Sequence, residues 1–160
     1  MSAEQIIEEV LSLYDIPNER RKMVVLTGGE PALQVDEALV NALHEAGFYI
    51  CIETNGTRAL PEGIDWITCS PKEGTHLALK HAQEVKVVFT GTYDPEVWRK
   101  QLSAEHWLLQ PLRYTGEWLI ENVDSWEDDR NDNLDDTVRY ILSHPFWRLS
   151  VQLHKIVGLR

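Results

Sequence analysis

Short apolar runs, each stopped abruptly by a cluster of polar or turn-forming residues, constrain this chain more than any other feature. Met23-Val24-Val25-Leu26-Thr27 runs into Gly28-Gly29-Glu30-Pro31, and Phe48-Tyr49-Ile50-Cys51-Ile52 into Glu53-Thr54-Asn55-Gly56-Thr57. Ile64-Asp65-Trp66-Ile67-Thr68-Cys69 runs into Ser70-Pro71-Lys72, and Trp107-Leu108-Leu109-Gln110 into Pro111. Val85-Lys86-Val87-Val88-Phe89 precedes Gly91. A continuous apolar run as short as Met23–Thr27 reads as a strand covered on both faces, and the other runs read as strands too. A sixth strand is expected near the end, where Leu149, Val151 and Leu153 alternate with Ser150, Gln152 and His154.

Helical patterns fall between the runs. Residues 2–14 carry Ile6, Val10, Leu13 and Tyr14 at helical spacing, and Ser2 with Gln5 has capping-box spacing. Pro17 lies beyond the end, where the chain must turn. Residues 36–46 put Val35, Leu39, Ala42, Leu43 and Ala46 together and end at Gly47. A short helix is expected over 95–102 and a longer one over 134–142, with Asn133 or Asp132 as its cap. The stretch 113–133 holds Trp118 and Trp126 and the acidic run Glu127 to Asp132, which reads as a solvated loop. Alternating strands and helices imply an α/β fold: a mostly parallel sheet of about six strands, with few helices. At 160 residues the chain is sized for one domain, 1–160, and is too short for a regular eightfold barrel. The polar clusters 28–31, 54–57, 70–72 and 110–111 share one position, the carboxyl ends of strands, where parallel α/β folds bind ligands.

Charge and cysteine count exclude several classes of function. Fifteen Lys+Arg against 26 Asp+Glu give a net charge of −11, which opposes non-specific nucleic-acid binding. There is no apolar run of membrane-spanning length and no signal-peptide pattern. Cys51 and Cys69 are the only cysteines, so a disulfide-dense scaffold is excluded; two buried thiols in a cytoplasmic protein are expected. No His-Glu-x-x-His, phosphate-loop or Gly-x-Ser-x-Gly motif occurs, and no catalytic residue or metal ligand is assigned. Glu30 beside two glycines can pair with an ammonium group or be a turn residue. Asn55 can meet a ligand or satisfy its own turn, and Lys72 can bind a carboxylate or be solvated. His154 and Lys155 can act at a site or lie on the surface.

Taken together, Leu26-Thr27-Gly28-Gly29-Glu30-Pro31, Ile52-Glu53-Thr54-Asn55-Gly56-Thr57, Cys69-Ser70-Pro71-Lys72 and Leu109-Gln110-Pro111 resemble the 7-carboxy-7-deazaguanine synthases. These are radical S-adenosylmethionine enzymes. The likeness runs from about residue 2 to Arg160, and the terminal Arg148-Leu149-Ser150-Val151-Gln152-Leu153-His154-Lys155 singles out this family within the superfamily. It implies a partial, open radical-SAM-type barrel. It implies that Gly28, Gly29, Glu30, Thr54, Asn55, Ser70 and Lys72 line S-adenosylmethionine, and that Gln110, His154 and Lys155 lie near a pterin substrate. The family converts 6-carboxy-5,6,7,8-tetrahydropterin to 7-carboxy-7-deazaguanine with loss of ammonia, on the route to queuosine, using a [4Fe-4S] cluster and Mg2+.

This sequence departs from the family at one point. The family's Cys-x₃-Cys-x₂-Cys loop follows its first strand, and this chain opens on the helix expected after that loop. Two cysteines cannot anchor the cluster, so neither the cluster nor Mg2+ is expected here. The resemblance therefore implies a truncated or degenerate radical SAM core, inactive alone, with S-adenosylmethionine affinity at most weak. The alternatives are a non-catalytic α/β domain binding a ligand or partner, and a fragment of a radical-activating enzyme. Loss of the family's first strand should leave Met23–Thr27 at an open edge and favour a homo-oligomer.

Overall fold

The computed structural model describes residues 1–13, 22–112 and 132–152. Tyr14, Pro17, Trp118, Trp126, the run Glu127 to Asn131, Leu153, His154 and Lys155 lie outside the described residues.

Six described strands form one sheet in chain order: β1 (Lys22–Leu26), β2 (Phe48–Thr54), β3 (Trp66–Cys69), β4 (His81–Phe89), β5 (Ser103–Pro111) and β6 (Trp147–Leu149). All five pairings are parallel. The sheet is open, with β1 and β6 its outermost described strands. The helices are α1 (Ala3–Leu13), α2 (Glu37–Glu45), α3 (Glu96–Arg99) and α4 (Asp132–Ser143), with a 3₁₀ turn at Pro31–Leu33. The α/β partial barrel expected from the sequence is the observed architecture.

Local chemistry explains the first elements. Ser2 and Gln5 make the reciprocal capping box: the Ser2 amide donates to Gln5 Oε1 at 2.9 Å and the Gln5 amide to Ser2 Oγ at 3.4 Å. Asp36 caps α2 by accepting from the Leu39 amide at 2.9 Å, and Gly47 ends it at a positive φ of 84°.

Strand register separates two faces. Ile50, Ile52, Val85, Val87 and Leu109 are fully buried on the face that carries the helices. Leu39, Val40 and Leu43 of α2, with Ile6, Ile7 and Val10 of α1, cover the β1–β2 end. Trp98, Leu102, Tyr140, Ile141 and Trp147 cover the β4–β6 end. Each large side chain so buried contributes about 1.5–3 kcal/mol, enough to fix which side of each strand faces inward. Hydrogen bonds then tie the α3 segment to β6 and to α4. Trp147 Nε1 donates to Glu96 Oε1 at 2.6 Å, and Tyr140 Oη donates to Asp94 Oδ1 at 2.7 Å.

Several boundaries differ from the sequence expectation. β4 begins at His81 and β5 at Ser103, each four residues earlier than expected. The added residues are polar or small because one face of these strands is not apolar. The helix expected over 95–102 is one turn, Glu96–Arg99, although Trp98 anchors it in the core. β6 spans Trp147–Leu149, and Ser150, Val151 and Gln152, expected within it, are not strand, although the Ser150 amide still donates to the Leu109 carbonyl at 2.8 Å. Asn133 does not cap α4: its Oδ1 accepts from the Leu112 amide at 2.7 Å and so ties the end of β5 to the helix. Cys69 is buried as expected, whereas Cys51 is half-buried on the other face, opposite Trp66.

Candidate functional site: the carboxyl edge and the open face of the sheet

The polar clusters meet at the carboxyl edge because the strands are parallel and adjacent. Glu30 is the hub. Its Oε1 accepts from Thr54 Oγ1 at 2.7 Å and from the Ala32 amide at 3.0 Å, and its Oε2 accepts from the Asn55 amide at 2.8 Å. One carboxylate thus starts the 3₁₀ turn after β1 and pins the end of β2. Partial burial pushes the Glu30 carboxyl up. The hydrogen bonds from Thr54, Asn55 and Ala32, with the charge of Arg58, outweigh it and hold the group below the ordinary carboxylate range.

The turn before Glu30 is open. Gly28 has φ of 120°, and a Cβ placed on Gly28 or Gly29 would meet no atom within 4 Å. Backbone and carboxylate are therefore accessible together, a setting suited to an ammonium group.

Thr54 is buried, and its hydroxyl also accepts from the Gly56 amide at 3.1 Å. Asn55 Oδ1 is spent on its own turn, accepting from the Thr57 amide at 2.9 Å and Thr57 Oγ1 at 2.7 Å. Ser70 joins the group through its amide, which donates to the Thr54 carbonyl at 2.7 Å. Gly28, Gly29, Glu30, Thr54, Asn55 and Ser70 thus form one continuous rim. Lys72 is exposed in the loop after β3 and Gln110 is near the end of β5 opposite Val88; no hydrogen bond joins either side chain to that rim. His154 and Lys155 lie outside the described residues.

Behind the rim, the face that no described helix covers carries a polar band that the motifs did not reveal. Lys86 Nζ lies 3.4 Å from both carboxylate oxygens of Glu53. Thr68 Oγ1 donates to Glu84 Oε1 at 3.5 Å. Trp66 and His106 stack with centroids 5.8 Å apart and planes at 22°, bridging β3 to β5. The signal was present as alternation: Glu84, Lys86 and Val88 interleave with Val85, Val87 and Phe89, a period-two pattern that an apolar reading of β4 passes over.

Comparison with known proteins fits this geometry. The chain is 45% identical over 160 residues to the 7-carboxy-7-deazaguanine synthase of Bacteroides thetaiotaomicron, covering 100% of this chain and 74% of that protein. The chain belongs to the 7-carboxy-7-deazaguanine synthase family. The family member from Bradyrhizobium diazoefficiens is 42% identical over 159 residues, covering 99% of this chain and 69% of that one. Among solved structures, QueE from Escherichia coli superposes with a TM-score of 0.65 over 95% of this chain and 64% of its own, at 24% identity, a likeness of fold. No family model matches the chain.

The open Gly28–Gly29 turn beside an ionised Glu30 fits the amino end of S-adenosylmethionine. The [4Fe-4S] cluster does not fit: the 160 residues hold two thiols, one buried on the helix side and one in mid-strand. Burial, and then the charge of Glu30, push the Cys69 thiol up to about 12, so it is not a thiolate at neutral pH. Among the described residues no group of three His, Cys, Asp or Glu is placed to hold a metal ion. Among them, too, no helix is long and apolar enough to cross a membrane.

Proposed function

We propose that these 160 residues form the ligand-binding part of a 7-carboxy-7-deazaguanine synthase, taking S-adenosylmethionine at the rim and a bicyclic pterin-type heterocycle on the open face. The observation that carries the reading is the Glu30 brace beside an open glycine turn at the carboxyl edge. In this reading Gly28, Gly29 and Glu30 meet the methionyl ammonium. Thr54, Asn55, Ser70 and Lys72 turn toward ribose and carboxylate, and Gln110, His154 and Lys155 toward the pterin. S-adenosylmethionine, when reductively cleaved in this family, supplies a radical that takes hydrogen from 6-carboxy-5,6,7,8-tetrahydropterin.

With two thiols, these residues alone do not hold the cluster that such cleavage needs. Anaerobic reconstitution with iron and sulfide is therefore expected to yield no 5′-deoxyadenosine. Binding is the property these residues retain, weakened by loss of the iron that chelates the methionyl group. The rim is tested with Gly29→Val, which adds bulk into open space at a residue without positive φ. By calorimetry at millimolar S-adenosylmethionine, the variant is expected to lose the parent's heat while keeping its melting temperature. Equal heats would defeat the assignment.

Two further parts of the reading follow. β1 is an outermost described strand, with Met23 53% and Val25 46% exposed on the open face. Association of copies along that side would cover it, and light scattering of a monodisperse monomer would refute this. A buried Cys69 and a half-buried Cys51 suit a reducing cytoplasm.

A further inference from the structure

The polar band on the open face leaves two groups unspent. Glu84 is a half-buried carboxylate on β4 whose one hydrogen bond among the described residues is the 3.5 Å contact from Thr68. The neighbouring cation, Lys86, is engaged by Glu53. Directly opposite Glu84 in register is His106, whose Nδ1 is sealed from solvent with no hydrogen-bond partner among the described residues. A polar atom buried in this way loses its hydration without a hydrogen bond in return, and a charge loses more. Packing for stability alone would have paired them, or replaced them with apolar residues like those on the other face of the same strands.

We infer that Glu84 is a specificity-determining residue that reads the aminopyrimidinone edge of the heterocycle. The inference rests on the binding role proposed above. The ring named by the family's product, 7-carboxy-7-deazaguanine, presents a ring N–H and an exocyclic amino N–H side by side. Two parallel donors match the two oxygens of one carboxylate, a bidentate charge-assisted pairing that adds geometric specificity to energy. Glu84 is set for it: among the described residues no cation forms an ion pair with its carboxylate, it is anchored on a central strand, and it lies beside the flat Trp66–His106 stack. His106 adds a polar atom on the adjacent strand. A ligand lacking the amino group would leave one carboxylate oxygen unsatisfied, which is how such sites discriminate.

The experiment is calorimetry of the 160-residue chain with 7-carboxy-7-deazaguanine and with its analogue lacking the 2-amino group, alongside S-adenosylmethionine. The parent is expected to prefer the amino compound about tenfold or more. Glu84→Gln is expected to erase that preference, weakening the amino compound about tenfold to a hundredfold and the analogue little, with S-adenosylmethionine binding unchanged. Glu84→Asp keeps the charge on a shorter stem. It is expected to lower the preference partway, and it carries the test if the Gln variant melts early. A variant that binds heterocycle with the parent's preference overturns the inference and leaves the proposed function standing. A parent that binds S-adenosylmethionine but neither heterocycle overturns the proposed heterocycle site and this inference with it.

Discussion

Removal of the Glu30 carboxylate is the most informative perturbation, because one side chain holds two strand ends and lines the open turn. Glu30→Ala deletes three charge-assisted hydrogen bonds, from Thr54 Oγ1, the Asn55 amide and the Ala32 amide. In isolation each is worth roughly 1.5–3 kcal/mol. Glu30 and Asn55 are only half-buried, so water replaces part of the loss, and the expected destabilisation is about 2–4 kcal/mol. Glu30→Gln is gentler. Its amide oxygen still accepts from Thr54 and Ala32, but its NH₂ faces the Asn55 N–H, and two donors repel. About 1–2 kcal/mol is expected.

The effect depends on pH with a definite sign. The folded-state pKa of Glu30 is depressed, so its contribution is complete above the unfolded carboxylate pKa and disappears as pH falls through the folded value. Urea denaturation followed by far-ultraviolet circular dichroism should thus show the gap between parent and Glu30→Gln at pH 7 shrinking in strongly acidic buffer. Identical midpoints for parent and Glu30→Ala at pH 7 would refute the brace, and a gap that widens on acidification would refute its electrostatic account.

Three other outcomes follow from the packing. Gly56→Ala should destabilise by about 2–4 kcal/mol in urea, because Gly56 has φ of 76° and an added Cβ would lie 2.6 Å from Cys69 Sγ. Cys69, with its thiol pushed up to about 12, should stay unmodified by iodoacetamide at pH 8 in the native chain and react on denaturation, as read by mass spectrometry. Trp147→Phe removes the 2.6 Å bond to Glu96 and part of the edge contact with Trp107, 5.4 Å between centroids; thermal melting should show a loss of about 1–3 kcal/mol.

Much of the fold was written locally. The capping box at Ser2 and Gln5, the Gly47 stop and the run-then-turn pattern each depend on residues within a few positions of one another. Helical stretches between β1 and β2, β4 and β5, and β5 and β6 point to parallel pairing there, whereas β2–β3 and β3–β4 are also parallel with no helix between them. The rim was legible for the same reason, since Gly28 to Pro31, Glu53 to Thr57 and Ser70 to Lys72 each end an apolar run, and parallel strands bring such ends to one edge. What the sequence could not display is which polar side chain spends its hydrogen bonds on which. Glu30 looked like a free anion beside two glycines. Only the register of β1 on β2 shows it gripping Thr54 and Asn55, 24 and 25 residues away. Asn133 looked like a helix cap until β5 came within its reach. Glu84, His106 and Trp66 belong to no motif. They sit on three strands, and a band of this kind exists only once pairing aligns the alternate positions of those strands on one face, because side-chain direction in a strand is local but its neighbours are not.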